Sequence, residues 1–326
     1  MTTTNFEQNF YSRLKAVEDI LIPHRHFTET VSRLQRVIEL ARHGAEPRHT
    51  LLLGESGTGK TWIAQYLASL YPHQTEKYGL KIPILLVQTP ATPSLKGLAE
   101  AILTALGDPV VLRGTASEKR ERALGLLRKL KVELIIFDEF QHFLDHGKQD
   151  SLISVSDWLK RFIDDASIPC LLMGLPRCEA ILQVNEQLRR RFSPRLELLP
   201  FSLDTEAEAC EFQAVLKEID KALPNEHLSG LDEETLATRL FYASNGLIGY
   251  LRTLITGAFE LMVVENRSTL DITLLERAFI EVIWKEGQKA LNPFHPKFKL
   301  RKLNQLGEPF AIAVKSARHV GRRATQ

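Results

Sequence analysis

Apolar residues fall along this chain in two rhythms. Up to about Pro200, short continuous apolar runs alternate with stretches of helical spacing; beyond it only the helical spacing remains. The runs "HTLLLGES", "IPILLVQT" (Ile82–Thr89), "VELIIFDEF" and "IPCLLMGLP" read as four buried strands. Between and ahead of them, helices are predicted over Thr28 to about His43, "KTWIAQYLASLY", "SLKGLAEAILTALG", "SEKRERALGLLRKLK" and "LISVSDWLKRFIDDA". Gly107 would end the third of these and Ser117 would cap the fourth. Continuous apolar strands separated by helices imply a parallel sheet covered on both faces. The alternation stops near "RLELLPFSL", and four helical stretches follow: "TEAEACEFQAVLKEIDKAL", "DEETLATRLFYASN", "IGYLRTLITGAFELMVVEN" and "LDITLLERAFIEVIW".

The expected fold class is therefore α/β, with a parallel-sheet core over 26–200 and a helical domain over 201–290. Residues 1–25 read as an N-terminal extension with its own helical spacing (Phe6, Phe10, Leu14, Val17, Ile20, Leu21). From Asn292 a basic, weakly structured tail is expected over 291–326, with Lys297, Lys299, Arg301, Lys302, Lys315, Arg318, Arg322 and Arg323 against Glu308.

Composition narrows the function. A formal net charge of +2 is close to neutral, so any nucleic-acid contact must come from local patches. Cys170, Cys178 and Cys210 form no paired framework, which suits reduced thiols in a cytoplasmic protein. No apolar run approaches the roughly 20 residues a membrane span needs, and "MTTTNFEQNF" lacks the form of a secretion signal. No membrane partner is expected.

The strongest chemical signal is Gly54-Glu55-Ser56-Gly57-Thr58-Gly59-Lys60-Thr61, which fits G-x-x-x-x-G-K-[ST] fully, between a strand and a helix. Glycines let the backbone wrap round a phosphate with several N–H groups pointing inward, and the following helix, with Trp62 in its first turn, adds its positive end. Lys60 is expected to reach the β- and γ-phosphates of ATP, and the Thr61 hydroxyl to ligate Mg2+. A second signal, Asp138-Glu139, ends the apolar run "LIIFDEF". Asp138 would hold Mg2+ through water, and Glu139 would polarise the attacking water. Arg189, Arg190 and Arg191 follow the fourth strand, with Arg191 the first candidate and Arg190 the second for an arginine finger offered to a neighbouring copy.

These residues together resemble the AAA+ ATPases, and more narrowly the TniB/TnsC transposition regulators, including those of CRISPR-associated transposons. The resemblance covers roughly residues 20–285. It rests on "IPHRHFTETVSRLQRVIEL", "VQTPATPSLKGLAEAILTALGDP", "IIFDEFQHF", "MGLP", "QLRRRF" and "GLIGYLRTLI". The resemblance implies an ATPase that assembles with ATP as a ring or filament round duplex DNA. It further implies links to a TniQ-like target selector and a DDE transposase, with hydrolysis dismantling or limiting the assembly. It places Ile22, Pro23 and His26 near the adenine, and Gly249 and Arg252 in the lid motif that carries a second sensor. One departure is plain: the fourth strand ends Met173-Gly174-Leu175, where such proteins usually place a polar sensor, so slow, switch-like hydrolysis is expected.

A ring round DNA can bind through phosphates without reading sequence. The candidate DNA contacts are Arg113, Lys119, Arg120 and Arg122, at the start of a helix whose later half buries Leu124, Leu127 and Leu130, with Lys96 in addition. Two other readings stay open on the sequence: a helicase loader or secretion-type ATPase of the same fold, and a metabolite P-loop kinase. No His/Cys spacing suggests zinc.

Overall fold

The computed structural model describes residues 3–77, 79–91, 94–145, 149–193 and 195–311. They form two compact units: Pro23–Pro200, and the described parts of Met1–Ile22 with Phe201–Gln326.

The Pro23–Pro200 unit opens with helix α2 (Arg25–Arg42), after α1 (Thr3–Glu18) of the other unit. It continues with β1 (Thr50–Gly54), α3 (Lys60–Leu70), β2 (Gln74–Glu76), β3 (Gly79–Lys81), β4 (Ile84–Gln88), α4 (Leu95–Ala105) and α5 (Ala116–Lys129). Then come β5 (Leu134–Asp138), α6 (His142–Asp145), α7 (Gln149–Ala166), β6 (Cys170–Gly174), α8 (Ala180–Gln183), α9 (Glu186–Arg191) and β7 (Arg195–Leu198). Five strands make one sheet in the order β4-β5-β6-β1-β7, and every pairing in it is parallel. β1, β5 and β6 are buried along their whole length, as strands covered on both faces must be. Leu51, Leu53, Ile135, Phe137 and Leu172 join Leu98, Leu127, Leu159 and Phe162 of the flanking helices in one core.

Two strand elements depart from the sequence reading. A fifth strand, β7, lies in "RLELLPFSL", where strand and helix were expected to stop alternating; its alternating burial marks a half-covered edge. A small antiparallel hairpin, β2–β3, precedes β4, and β4 itself starts at Ile84, because Pro83 stands before it. The cap of α5 is also different. Thr115, not Ser117, accepts from Glu118 N, and Glu118 bonds back to Thr115 N in a capping box.

The second unit holds α10 (Glu206–Ala222), α11 (Glu234–Ser244), α12 (Ile248–Val264) and α13 (Ile272–Ala278), which runs into a π turn at Phe279–Ile283. α1 belongs to this unit: Val17 is buried with Leu251, Ile255 and Phe259, and the Arg13 guanidinium lies 5.3 Å from the Phe259 ring centre. Residues 292–311 are not the loose tail expected from composition. Phe294, Phe298 and Leu303 are buried in the same core, and Asn292 donates to the Glu276 carbonyl at 2.8 Å. Apolar residues every few positions among the lysines tie this segment down. Lys315, Arg318, Arg322 and Arg323 lie outside the described residues. Among the described residues no single helix is long and apolar enough to cross a membrane.

Two histidines of the α/β unit are held neutral. His49 sits just ahead of β1; its Nδ1 accepts from Cys170 N at 3.1 Å, and its ring packs on Phe192. Burial, and then the Arg191 charge, lower its pKa to about 4. His24, packed on Phe27, is lowered to about 4 by burial and then by His26. The unfolded chain therefore takes up protons between about pH 6.5 and 4 that the folded chain refuses. Stability contributed by the neutral rings is complete above that window and is lost as pH falls through it. The loss is on the order of 3 kcal/mol per ring. His49→Asn, which keeps an acceptor for Cys170 N, should shrink the fall in urea-unfolding stability between pH 6.5 and 4 by about the one-ring amount; an identical fall in both proteins would contradict this account.

Candidate active site

The site starts where β1 runs out. Gly54 leaves the strand so tightly that a Cβ there would stand 2.5 Å from Thr58 Oγ1 and 2.8 Å from the Leu198 carbonyl oxygen. The loop then turns through Gly57 and Gly59, at φ +84° and +93°, a conformation side chains resist. α3 begins at Lys60 with Gly59 as its N-cap and no side chain capping it, so its first N–H groups face the loop's concavity. Thr58 Oγ1 donates to the Glu55 carbonyl and braces the turn. Glu55, Ser56 and Thr61 are exposed at the rim, and Trp62 is half-buried.

Lys60 is 6% exposed, and its Nζ donates to the carbonyls of Gly54 (2.8 Å) and Glu55 (2.9 Å). Burial lowers its pKa, and the Glu139 and Asp138 charges oppose that. A buried ammonium held by carbonyl groups alone gains from an arriving anion. Thr61 Oγ1 donates to Asp138 Oδ2 at 2.8 Å, so the hydroxyl of α3 and the carboxylate of β5 meet at one point. Burial raises the Asp138 pKa, while bonds from Thr61 and Glu139 N pull it back. A desolvated carboxylate beside a hydroxyl is a pair of hard oxygen donors, and Mg2+ fits such a pair. The glycine-lined loop fits a phosphate chain in the same way.

Glu139 follows with φ +56°, a left-handed backbone that non-glycine residues rarely take. Phe140 N donates to the Met173 carbonyl at 2.9 Å and carries the β5–β6 pairing past the strand ends. Gln141 then bridges: its amide donates to Glu139 Oε2 and its carbonyl accepts from Leu175 N at 3.3 Å. Sequence reasoning quoted Gln141 within "DEFQH" and gave it no role. The signal that pointed to it was the side-chain-free Gly174.

The expected residues divide. Gly54–Thr61, Asp138 and Glu139 gather at the carboxyl edge of β1 and β5. The arginines do not join them. Arg191 forms an ion pair with Asp164 near the end of α7, and its neighbour Phe192 packs on His49 ahead of β1, with ring centres 5.3 Å apart. That is the amino edge of the sheet, and the five-residue strand between His49 and the loop spans about 16 Å. Arg190 has a side chain 77% exposed and pairs with Glu186 at 2.6 Å. His26 is half-buried at the start of α2, 6.3 Å from His24 between ring centres. Ile22 and Pro23 fall in different units. Gly249 and Arg252 belong to α12; burial lowers the Arg252 pKa against the pull of Asp19 and Glu18.

Lys119 is a correction. It is fully buried, with Nζ 3.0 Å from Glu100 Oε1 and bonded to the Val111 carbonyl, so it fastens the loop ahead of α5 and offers no charge to a partner. The periodicity hides this because a lysine stem can cross a core and deliver its charge on the far side. Arg122 has the same kind of duty, donating to Asp108 Oδ2 at 2.6 Å and to the Val110 carbonyl at 3.0 Å. Arg120 pairs with Asp165 and Glu121. Lys96 and Arg113 are exposed.

The family described as "Bacterial TniB protein" matches residues 13–200, more than half of the chain. The ORC1-type DNA replication protein 1 of Aeropyrum pernix is 29% identical over 143 residues, which cover 43% of this chain and 35% of that protein. Among solved structures, A. pernix ORC1 in complex with DNA superposes with a TM-score of 0.61 at 18% identity, covering 83% of this chain and 69% of that one. A. pernix ORC2, solved as ADPNP-ADP complexes, gives 0.60 at 16% identity, with 83% and 72% covered. Cdc6p of Pyrobaculum aerophilum gives 0.60 at 16% identity, with 82% and 70% covered. At these identities the superpositions establish a shared fold.

Removing the buried ammonium leaves Glu100 and the Val111 carbonyl without their partner. Lys119→Met should therefore lower unfolding stability by about 2 kcal/mol; a change below roughly 0.5 kcal/mol, the size of an ordinary surface substitution, would show that the ion pair is idle.

Proposed function

The chain belongs to the bacterial TniB family and has the AAA+ P-loop ATPase fold, and from that premise we propose that it is an ATP-hydrolysing, DNA-bound regulator of transposition. Copies assemble on duplex DNA as a ring or filament, link a TniQ-like target selector to a DDE transposase, and use hydrolysis to control the assembly. The observation that carries this reading is the split between the two edges of the sheet: phosphate grip and acids at one, Arg191 at the other.

In this mechanism the loop N–H groups of Gly57 to Thr61 wrap the β-phosphate of ATP. Lys60 Nζ gives up its bonds to the Gly54 and Glu55 carbonyls for phosphate oxygens. Thr61 and Asp138 would hold Mg2+, which draws negative charge from the phosphate oxygens when bound. Glu139 accepts a hydrogen bond from water and aims it at the terminal phosphorus. The charge that develops during transfer is met by Arg191, or by Arg190 beside it, from the next copy. Pro23 and His26, of the same unit as the phosphate loop, flank the adenine. Turnover is slow and switch-like, because β6 ends in Gly174 and offers the phosphate no polar side chain of its own.

DNA is held through phosphates by the exposed Lys96 and Arg113, with Arg120 and Arg122 shaping the surface between them. The relative solved with DNA supports DNA as the partner. The curated relative is matched over about a third of its length, so its replication role is not carried over.

Lys60→Ala should bind no ATP. Glu139→Gln should bind it normally, hydrolyse it at least a hundredfold more slowly, and stay on duplex DNA long after the unaltered protein has left. Release of both proteins from labelled duplex at the same rate would remove hydrolysis from control of the assembly.

A further inference from the structure

β6 ends in Gly174, where a chain of this fold would be expected to place a polar side chain beside the phosphate. Space explains the glycine. A Cβ on residue 174 would stand 2.7 Å from Gln141 Oε1 and closer still to Cys178 Sγ. The place is already filled from the neighbouring strand: Gln141 arrives from beyond β5, is 5% exposed, and lays its amide across the end of β6.

The polarity of that amide is fixed by its partners. Leu175 N can only donate, so the atom facing it at 3.3 Å is Oε1, with Cys178 Sγ 3.9 Å away on the same side. Nε2 then faces Glu139 and donates to its Oε2. Glu139 needs such a partner. Its backbone is in the left-handed region at φ +56°, and its side chain has free torsions that the strand does not control. Phe140 N on the Met173 carbonyl holds the main chain on one side, and the Gln141 amide holds the carboxylate on the other.

We propose that Gln141 is a positioning residue for Glu139: its amide, seated in the room that Gly174 leaves, fixes the carboxylate in the direction from which it orients water. This supplies from β5 what the end of β6 lacks, and it makes glycine at 174 a condition of turnover. The proposal rests on the reading of Glu139 as the group that polarises water.

Two substitutions attack the same contact from opposite sides. Gln141→Glu keeps the length and the acceptor for Leu175 N, and sets a second carboxyl group against Glu139 in place of the amide donor. Gly174→Ala keeps Gln141 and pushes its amide away. With Mg-ATP and duplex DNA, each should lower kcat by roughly tenfold or more, the effect of losing one hydrogen bond to a charged group. ATP affinity should stay within about twofold. In a Glu139→Gln background, Gly174→Ala should cause no further loss, because a residue that acts through Glu139 has nothing left to position. Wild-type turnover in Gln141→Glu, an equal further loss in the Glu139→Gln background, or a collapse of ATP binding would each overturn the proposal. Full turnover by Glu139→Gln alone would instead sink the reading of Glu139 itself, and the role of Gln141 with it.

Discussion

Everything at the site hangs on the parallel hydrogen bonding of β1, β6 and β5. Leu53 stands opposite Gly174, and Phe137 opposite Leu172. With that register, the three strands end within two residues of one another. The glycine-rich loop, the pair Asp138-Glu139 and the Gly174 turn leave the sheet side by side. All three strands are buried on both faces, so a slip would place apolar side chains against the wrong neighbours along the whole sheet. The pairing even outlasts the strands: Thr89 N bonds to the Asp138 carbonyl and Phe140 N to that of Met173.

Burial does the rest of the electrostatic work. Lys60 and Asp138 are both removed from water, and each has its pKa moved toward the uncharged form. Binding that brings a phosphate to one and a cation to the other favours both charged forms, so the site suits the pair together. The arginine expected to meet the transferring phosphate does not lie at this edge. Arg191 rests on Asp164 at the other end of the strands, and a strand's length cannot be bridged by one side chain. In the proposed mechanism, that separation within one chain is the reason a second copy supplies the arginine.

Much of this was legible in the sequence, for reasons that differ by residue. The phosphate loop could be read because its chemistry is local, eight consecutive residues between a strand and a helix. The central strands could be read because a strand buried on both faces has no polar positions. β7 was missed because an edge strand of four residues followed by Pro200 looks like the end of a pattern. The cap at Thr115 competed with Ser117, which lies two residues away and has the same chemistry. Lys119 was misread as an exposed charge because its partners Glu100 and Val111 lie on α4 and in a loop. Gln141 escaped assignment for the same reason: Leu175, which fixes its amide, is 34 residues further along the chain.

The central claim is that one copy grips the triphosphate and the next completes the site. A mixing experiment tests it most directly. Lys60→Ala copies keep their arginines and lack a grip, while copies with both Arg190→Ala and Arg191→Ala keep the grip and lack the arginines. Each should be nearly inactive alone, and the two mixed on duplex DNA should hydrolyse ATP well above the sum of their separate rates. A mixture that never exceeds that sum, although both proteins bind the duplex, would contradict the account.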